Sequence, residues 1–135
     1  MYKTVSIETP LGDSLTNITD QVRALVKESG VQSGICYVIV PHTTAAITIN
    51  SYLDPLTAED IVDDVRRLVP TRTDFHHIFD TPPDAAGHIK ATLVGNTETV
   101  LIENGDLVLG HSQGLLFFDF DGPRKRQAMV KIIEG

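Results

Sequence analysis

Gly34-Ile35-Cys36-Tyr37-Val38-Ile39-Val40 is an unbroken apolar run rich in β-branched residues, and Pro41 closes it. It reads as a buried strand, because a proline without an N–H cannot continue a central ladder. After His42-Thr43-Thr44, the stretch Ala45-Ala46-Ile47-Thr48-Ile49-Asn50 alternates, which reads as a second strand paired near the first. The corner between them presents an imidazole and two hydroxyl groups. Strand ends beside irregular backbone are where rigid scaffolds display functional groups, so His42, Thr43 and Thr44 are the first candidates.

Upstream, Thr4 to Glu8 reads as a strand and Gly12-Asp13 as a turn. Thr19 then reads as the N-cap of a helix with Val22, Leu25 and Val26 on one face and Gly30 as its stop. Downstream, Thr57 reads as the cap of a second helix, with Glu59 and Asp60 in its first turn and Arg66 and Arg67 in its last. Its apolar stripe is Ile61, Val62, Val65, Leu68 and Val69, and Pro70 ends it. Residues 71–83 read as a long irregular loop, and loops of that length inside a compact domain are commonly functional. Ala85 to Val94 reads as a short third helix with His88 in its first turn, Ile89 and Leu93 inward and Gly95 as its stop.

Thr97 to Glu103, a turn at Asn104-Gly105 and a strand from Asp106 onward form the clearest hairpin. From Leu107 to Asp121 the odd positions share one face unless a bulge intervenes at Gly110 or Gly114. After a turn at Gly122-Pro123, Gln127 to Ile133 is a last alternating strand. This order predicts an α+β fold: residues 1–135 as one compact domain, with mixed or antiparallel sheets and about three helices.

Composition narrows the function classes. The chain has 135 residues, 41% of them hydrophobic and 21% charged, which suits a folded domain with its own core. No run of about twenty apolar residues is present, and the start of the chain lacks a signal-peptide layout, so no membrane partner is expected. Cys36, the single cysteine, cannot form an internal disulfide and lies in an apolar strand, where an inert buried thiol in a reducing, cytoplasmic setting is expected. The net charge is −7, and Arg124-Lys125-Arg126 is the only basic cluster, too little phosphate neutralisation for nucleic-acid binding.

Five histidines remain to be placed. His42 follows a strand, His76 and His77 lie in the long loop near Asp74, Asp80 and Asp84, His88 follows a glycine, and His111 shares a strand face with Gln113. Neutral imidazoles brought together from separate elements suit a divalent transition metal, and an aspartate can complete the shell or orient a ring. Asp119 and Asp121 share a face of an apolar strand, where an unpaired charge is costly, and Arg124 can pair with either. Two roles stay open for that group: an Asp–Arg lock on the turn, or recognition of a substrate phosphate. Gly110-His111-Ser112-Gln113-Gly114 matches the letters of a nucleophile elbow, but the strand–turn–helix context is missing.

Four motifs occur in order over nearly the whole chain: Pro41 to Asn50, Gly87 to Gly95, Gly105 to Gly110 with Gln113, and Asp119 to Arg124. Together they resemble the YjbQ-type family of small proteins, linked to a secondary thiamine-phosphate synthase activity. The resemblance implies a homotrimer and a cleft in which His42, His77 and His88 bind a divalent metal. Zinc is the first choice, and magnesium is the alternative that a diphosphate substrate brings. It also implies catalytic roles for His42, His88 and Asp121, and substrate contacts from Thr43, Thr44, Gln113 and Arg124. The implied reaction couples a pyrimidinylmethyl diphosphate to a thiazole phosphate with release of diphosphate, so the expected partners are two further copies of the chain and a small phosphorylated metabolite.

Ser51, Ser112 and Asp119 depart from the family pattern, where Glu, Trp and Glu are common. Two other functions fit the same residues: a metal-dependent hydrolase or lyase on a small phosphorylated metabolite, and a non-enzymatic trimeric binding protein.

Overall fold

The computed structural model of the chain describes residues 1–135. Its elements are β1 (Lys3–Glu8), β2 (Gly12–Asn17), α1 (Thr19–Ser29), β3 (Gly34–Ile39), β4 (Ala45–Ser51), α2 (Pro55–Leu68) and α3 (Pro82–Val94), then β5 (Thr97–Glu103), β6 (Asp106–Leu107), β7 (Gln113–Gly122) and β8 (Lys125–Glu134). The strands form a five-stranded sheet, β1-β8-β3-β5-β6, and a three-stranded sheet, β2-β7-β4. Every pairing is antiparallel.

The main core lies between the sheets. Val5, Cys36, Val38, Val100 and Val130 face it from the larger sheet, Ala45, Ile47, Leu115 and Phe117 from the smaller, and α1 adds Val22 and Val26. The opposite face of the smaller sheet carries Ala46, Phe118 and Phe120, covered by Ile61, Val62 and Val65 of α2 and Ala91 and Val94 of α3. β7 is therefore buried on both faces, which is why its sequence runs through Leu115-Leu116-Phe117-Phe118 without a polar break. Burial raises the Cys36 thiol to about 11, consistent with an inert core position.

The β3 and β4 stretches are both strands, but they do not pair with each other. β3 lies between β5 and β8, whereas β4 pairs with β7 in the other sheet. The Pro41–Thr44 corner thus carries the chain from one layer to the next. Only one face of β3 is fully buried, since Ile35, Tyr37 and Ile39 are half-exposed on the outer face.

Several boundaries differ from the sequence expectations. Gly12–Asn17 is a strand rather than a turn; its polar residues suit an edge strand with Leu15 packed inward. Asn17, not Thr19, satisfies the start of α1, its Oδ1 accepting from the Thr19 N–H at 3.0 Å. Asp54 caps α2 by accepting from the Leu56 N–H at 2.9 Å, with Pro55 as the first helical residue. Glu59 and Asp60 therefore fall beyond the first turn, and Leu68 is 77% exposed. Thr81 caps α3, which begins at Pro82 and leaves His88 in the second turn.

Ile89 and Leu93 point outward, and the inward face of α3 is Ala85, Ala86, Gly87 and Lys90. Small residues let α3 lie close on the sheet: a Cβ on Gly87 would sit 3.2 Å from Thr44 Cβ and 3.4 Å from Phe120 Cβ. Lys90 is buried because its Nζ donates to Asp13 Oδ2 at 2.7 Å. The Asn104-Gly105 turn forms as expected, with φ of 52° and 74°. The strand after it stops at Leu107, however, and the chain crosses to the other sheet before β7 begins.

Candidate functional site

Asp84 organises the polar cluster at one end of the molecule. It sits in the first turn of α3, and His88 lies one helical turn later on the same face. The loop from 71 to 80 brings in His77. Both imidazoles approach the same carboxylate oxygen: Asp84 Oδ2 is 2.9 Å from His77 Nε2 and 3.2 Å from His88 Nε2. The rings meet edge to face with centroids 5.2 Å apart, and Asp80 Oδ2 lies 3.6 Å from His77 Nε2. Asp84 itself is only 7% exposed. Burial opposes its ionisation, but hydrogen bonds from His77 and His88 outweigh that and hold the carboxyl below its usual value.

One ligand atom each from His77, Asp84 and His88 lies within 4.8 Å of the other two. The residues fit a divalent first-row ion. Ligands ~2.0–2.2 Å from such an ion sit ~3.0–3.5 Å from one another, near the separations seen here. Two imidazoles and one carboxylate would leave coordination positions of such an ion open to water or substrate.

The expected three-histidine set is not brought together in this chain. His42 lies outside the cluster, and its Nε2 accepts the Gln127 N–H at 3.0 Å. The carboxylate of Asp84 is the third member of the cluster. The spacing Asp84-x-x-x-His88 carries that information, but only once the helix is known to start at Pro82. His76 and His111 are outside the cluster too. His42 and His88 do share a cavity of about 460 Å³, together with Thr43, Thr92 and Asn96. A second cavity of about 720 Å³, lined in part by Arg72, Phe75 and His77, opens on the other side of His88.

The Asp–Arg question resolves into two pairs. Arg124 Nη2 meets Asp121 Oδ2 at 2.8 Å on the surface, and its Nε donates to the Asp121 carbonyl at 3.1 Å. The hydrogen bond and charge of Asp121 raise the Arg124 guanidinium further, with Asp84 adding to the effect. Asp119 pairs instead with Arg126, a residue not anticipated, at 2.9 Å and in full burial. Its carboxylate also accepts from the Thr9 hydroxyl and from the Asp121 N–H. Burial pushes Asp119 upward, but these hydrogen bonds and the Arg126 charge win and leave it below its usual value. Arg126 also donates to Thr44 Oγ1 at 2.7 Å, which assigns Thr44 to the buried lock rather than to an open surface.

Gln113 lies elsewhere. It starts β7 while Asp121 lies near its end, so the two are ~26 Å apart along the strand. Its Oε1 accepts the Gly110 N–H, which closes the turn before β7. Ser51 is opposite Gln113 in the β4–β7 register, and the Ser112 carbonyl accepts from Tyr52. Two of the three departures from the family pattern therefore sit at the end of the sheet remote from the histidine cluster.

Stacked antiparallel sheets, small-residue helix packing and a two-histidine, one-carboxylate cluster beside a polar cavity define a small α+β protein with a ligand-sized cleft. The chain belongs to the family described as UPF0047 protein YjbQ-like, whose family model matches residues 3–135. It is 41% identical over 127 residues to the UPF0047 protein MJ1081 of Methanocaldococcus jannaschii, covering 94% of this chain and 90% of that protein. Over 135 residues it is 38% identical to UPF0047 protein YugU of Bacillus subtilis, covering 98% and 99% of the two chains.

Among solved structures, a YjbQ/UPF0047 family protein from Clostridium acetobutylicum matches with a TM-score of 0.91 at 42% identity, covering 97% of this chain and 99% of that one. A YbjQ-like protein from Sulfolobus solfataricus matches with a TM-score of 0.93 at 30% identity, covering 100% and 97%. The α+β fold expected from the resemblance is the fold observed.

Proposed function

We propose that the chain is a small metal-dependent enzyme in which His77, Asp84 and His88 hold a divalent ion, zinc in preference to magnesium. The observation that carries the reading is the convergence of both imidazoles on Asp84 beside a cavity of ligand size. Two nitrogen ligands favour zinc, whereas magnesium prefers an all-oxygen shell. The reaction proposed is thiamine-phosphate synthase-like transfer. The methylene carbon–oxygen bond of a pyrimidinylmethyl diphosphate breaks, the thiazole nitrogen supplies the electron pair for the new carbon–nitrogen bond, and diphosphate departs.

An ion held by His77, Asp84 and His88 would supply charge stabilisation to the departing diphosphate. The chain's own residues orient the partners. Thr43, His88 and Asn96 line the cavity, and Arg124, held by Asp121 outside that lining, is the proposed phosphate contact. A hydrolase or lyase acting on a small phosphorylated metabolite is the second reading. The observation favouring it is that Arg124 is already paired with Asp121, so a substrate needing no second phosphate site suits the cleft as well.

A homotrimer belongs to the proposal. Support comes from an apolar row on the open face of the larger sheet, where Ile35 sits in register with Leu101 and Ile133. Leu101 is 59% exposed there in the single chain. A cytoplasmic location is also proposed, supported by the lone buried Cys36; no helix is long and apolar enough to cross a membrane. The test is pyrimidine–thiazole coupling by chelator-stripped protein before and after zinc is restored. Activity that appears only with the ion supports the synthase reading. Full activity in stripped protein contradicts the metal's role, and turnover only of other phosphorylated metabolites moves the assignment to the second reading.

A further inference from the structure

His42 is held against β8 by the Gln127 amide. β3 ends at Ile39, opposite Met129, so antiparallel register places Pro41 across from Gln127 and leaves that amide without a strand partner on this side. The imidazole takes the vacant place, Nε2 accepting the Gln127 N–H at 3.0 Å. Arg126, the neighbouring residue, fixes the same corner from the core by donating to Thr44 Oγ1. The ring also packs edge-on to Phe117, with centroids 6.5 Å apart.

A backbone amide can only donate. The nitrogen receiving it must present a lone pair, and a neutral imidazole then carries its proton on Nδ1. Burial and the nearby Arg126 charge both favour this uncharged ring. Nδ1 has no partner within the chain and is not enclosed by it, and it diverges from the Nε2 that faces Gln127. We infer that His42 is not a metal ligand. It is held as the Nδ1–H tautomer and donates a hydrogen bond to an acceptor atom of the substrate in the cavity it shares with His88.

The cavity supports that role. Its lining contains no lysine, arginine, aspartate or glutamate; its polar groups are imidazoles, the hydroxyls of Thr43 and Thr92 and the amide of Asn96. Such a lining recognises a neutral polar group, such as a ring nitrogen or carbonyl, better than a phosphate. His88, in the same lining, would present the metal side, and His42 would read another part of the same molecule. Only this placement of the substrate rests on the metal-enzyme reading; the tautomer follows from the Gln127 contact alone.

The experiment is nitrogen-15 NMR of the histidine rings in the intact protein at neutral pH, with zinc alone as the probe. In metal-free protein the expected signature for His42 is an unprotonated Nε2 and a protonated Nδ1; a protonated Nε2 overturns the inference. On adding zinc, His77 and His88 should shift and His42 should keep its signature; a His42 nitrogen that takes up the ion overturns it. If no ring responds to zinc, the metal reading fails while the metal-free signature still decides the tautomer.

Variants give a second readout. His42→Ala should bind zinc within about twofold of the parent yet lose ~10–100-fold in kcat/KM for whichever substrate the parent turns over. His42→Asn, which restores an N–H near the Nδ1 position, should recover part of that loss. Loss of zinc from His42→Ala with the fold intact contradicts the inference, as does His42→Asn behaving no better than alanine.

Discussion

Asp84 and His88 lie one turn apart on α3, and their facing atoms, Oδ2 and Nε2, are 3.2 Å apart. A single helix thus fixes two of the three members of the cluster relative to each other. His77 comes from the loop before it, and its 2.9 Å contact with the same oxygen ties that loop to the helix. The carboxylate, rather than a third imidazole, is the centre of the arrangement.

Asp84→Asn should keep the shape of the site and remove its negative charge. Zinc affinity is expected to fall by more than ~100-fold, since even partners outside the coordination shell are worth 10–100-fold. Isothermal titration with zinc checks this. An affinity within a few-fold of the parent would mean that Asp84 is not a ligand.

Asp119 and Arg126 form a buried ion pair that ties β8 to β7 beneath the His42 corner. Asp119→Asn should destabilise the fold by ~3–5 kcal/mol, because Arg126 is left buried without its counter-charge. Urea unfolding of the variant measures this, and a loss below ~1 kcal/mol would contradict the account.

The same carboxylate predicts an acid limit to stability. Its folded pKa lies below the unfolded value of about 3.9, so its contribution is present above that pH. The contribution is lost as pH falls through the folded pKa. Unfolding free energy should therefore drop below about pH 4 in the parent, and less steeply in Asp119→Asn. Parallel pH profiles for the two proteins would show that Asp119 is not the group responsible.

Gly87 lets α3 approach β4 and β7. Gly87→Ala is the milder test, because a gain of ~1 kcal/mol in helix propensity offsets the crowding against Thr44. Gly87→Val keeps little of that gain and adds bulk, so it should cost ~2–3 kcal/mol. Thermal or urea unfolding of both variants checks the order. Valine tolerated as well as alanine would mean that the close approach is not needed.

Much of the fold was legible in local pattern. The β3 run, the Asn104-Gly105 turn and the Gly30 stop each follow from residue chemistry that acts over a few positions. What was missed depends on distant partners. The edge strand β2 has a polar sequence and becomes a strand only by pairing with β7. The inward face of α3 differs from the one its sequence suggests, because Ile89 and Leu93 are the larger apolar residues, whereas close packing selects Ala85, Ala86 and Gly87. At the site, the imidazoles were visible but their grouping was not. His42 is separated from His77 and His88 by its bond to Gln127, a backbone contact that no spacing rule encodes.

Anomalous diffraction from crystals grown with zinc tests the central claim most directly. The account predicts a peak ~2.0–2.2 Å from His77 Nε2, an Asp84 carboxylate oxygen and His88 Nε2, with His42 still bonded to the Gln127 amide. A peak coordinated by His42, or no peak in the presence of zinc at this cluster, would contradict it.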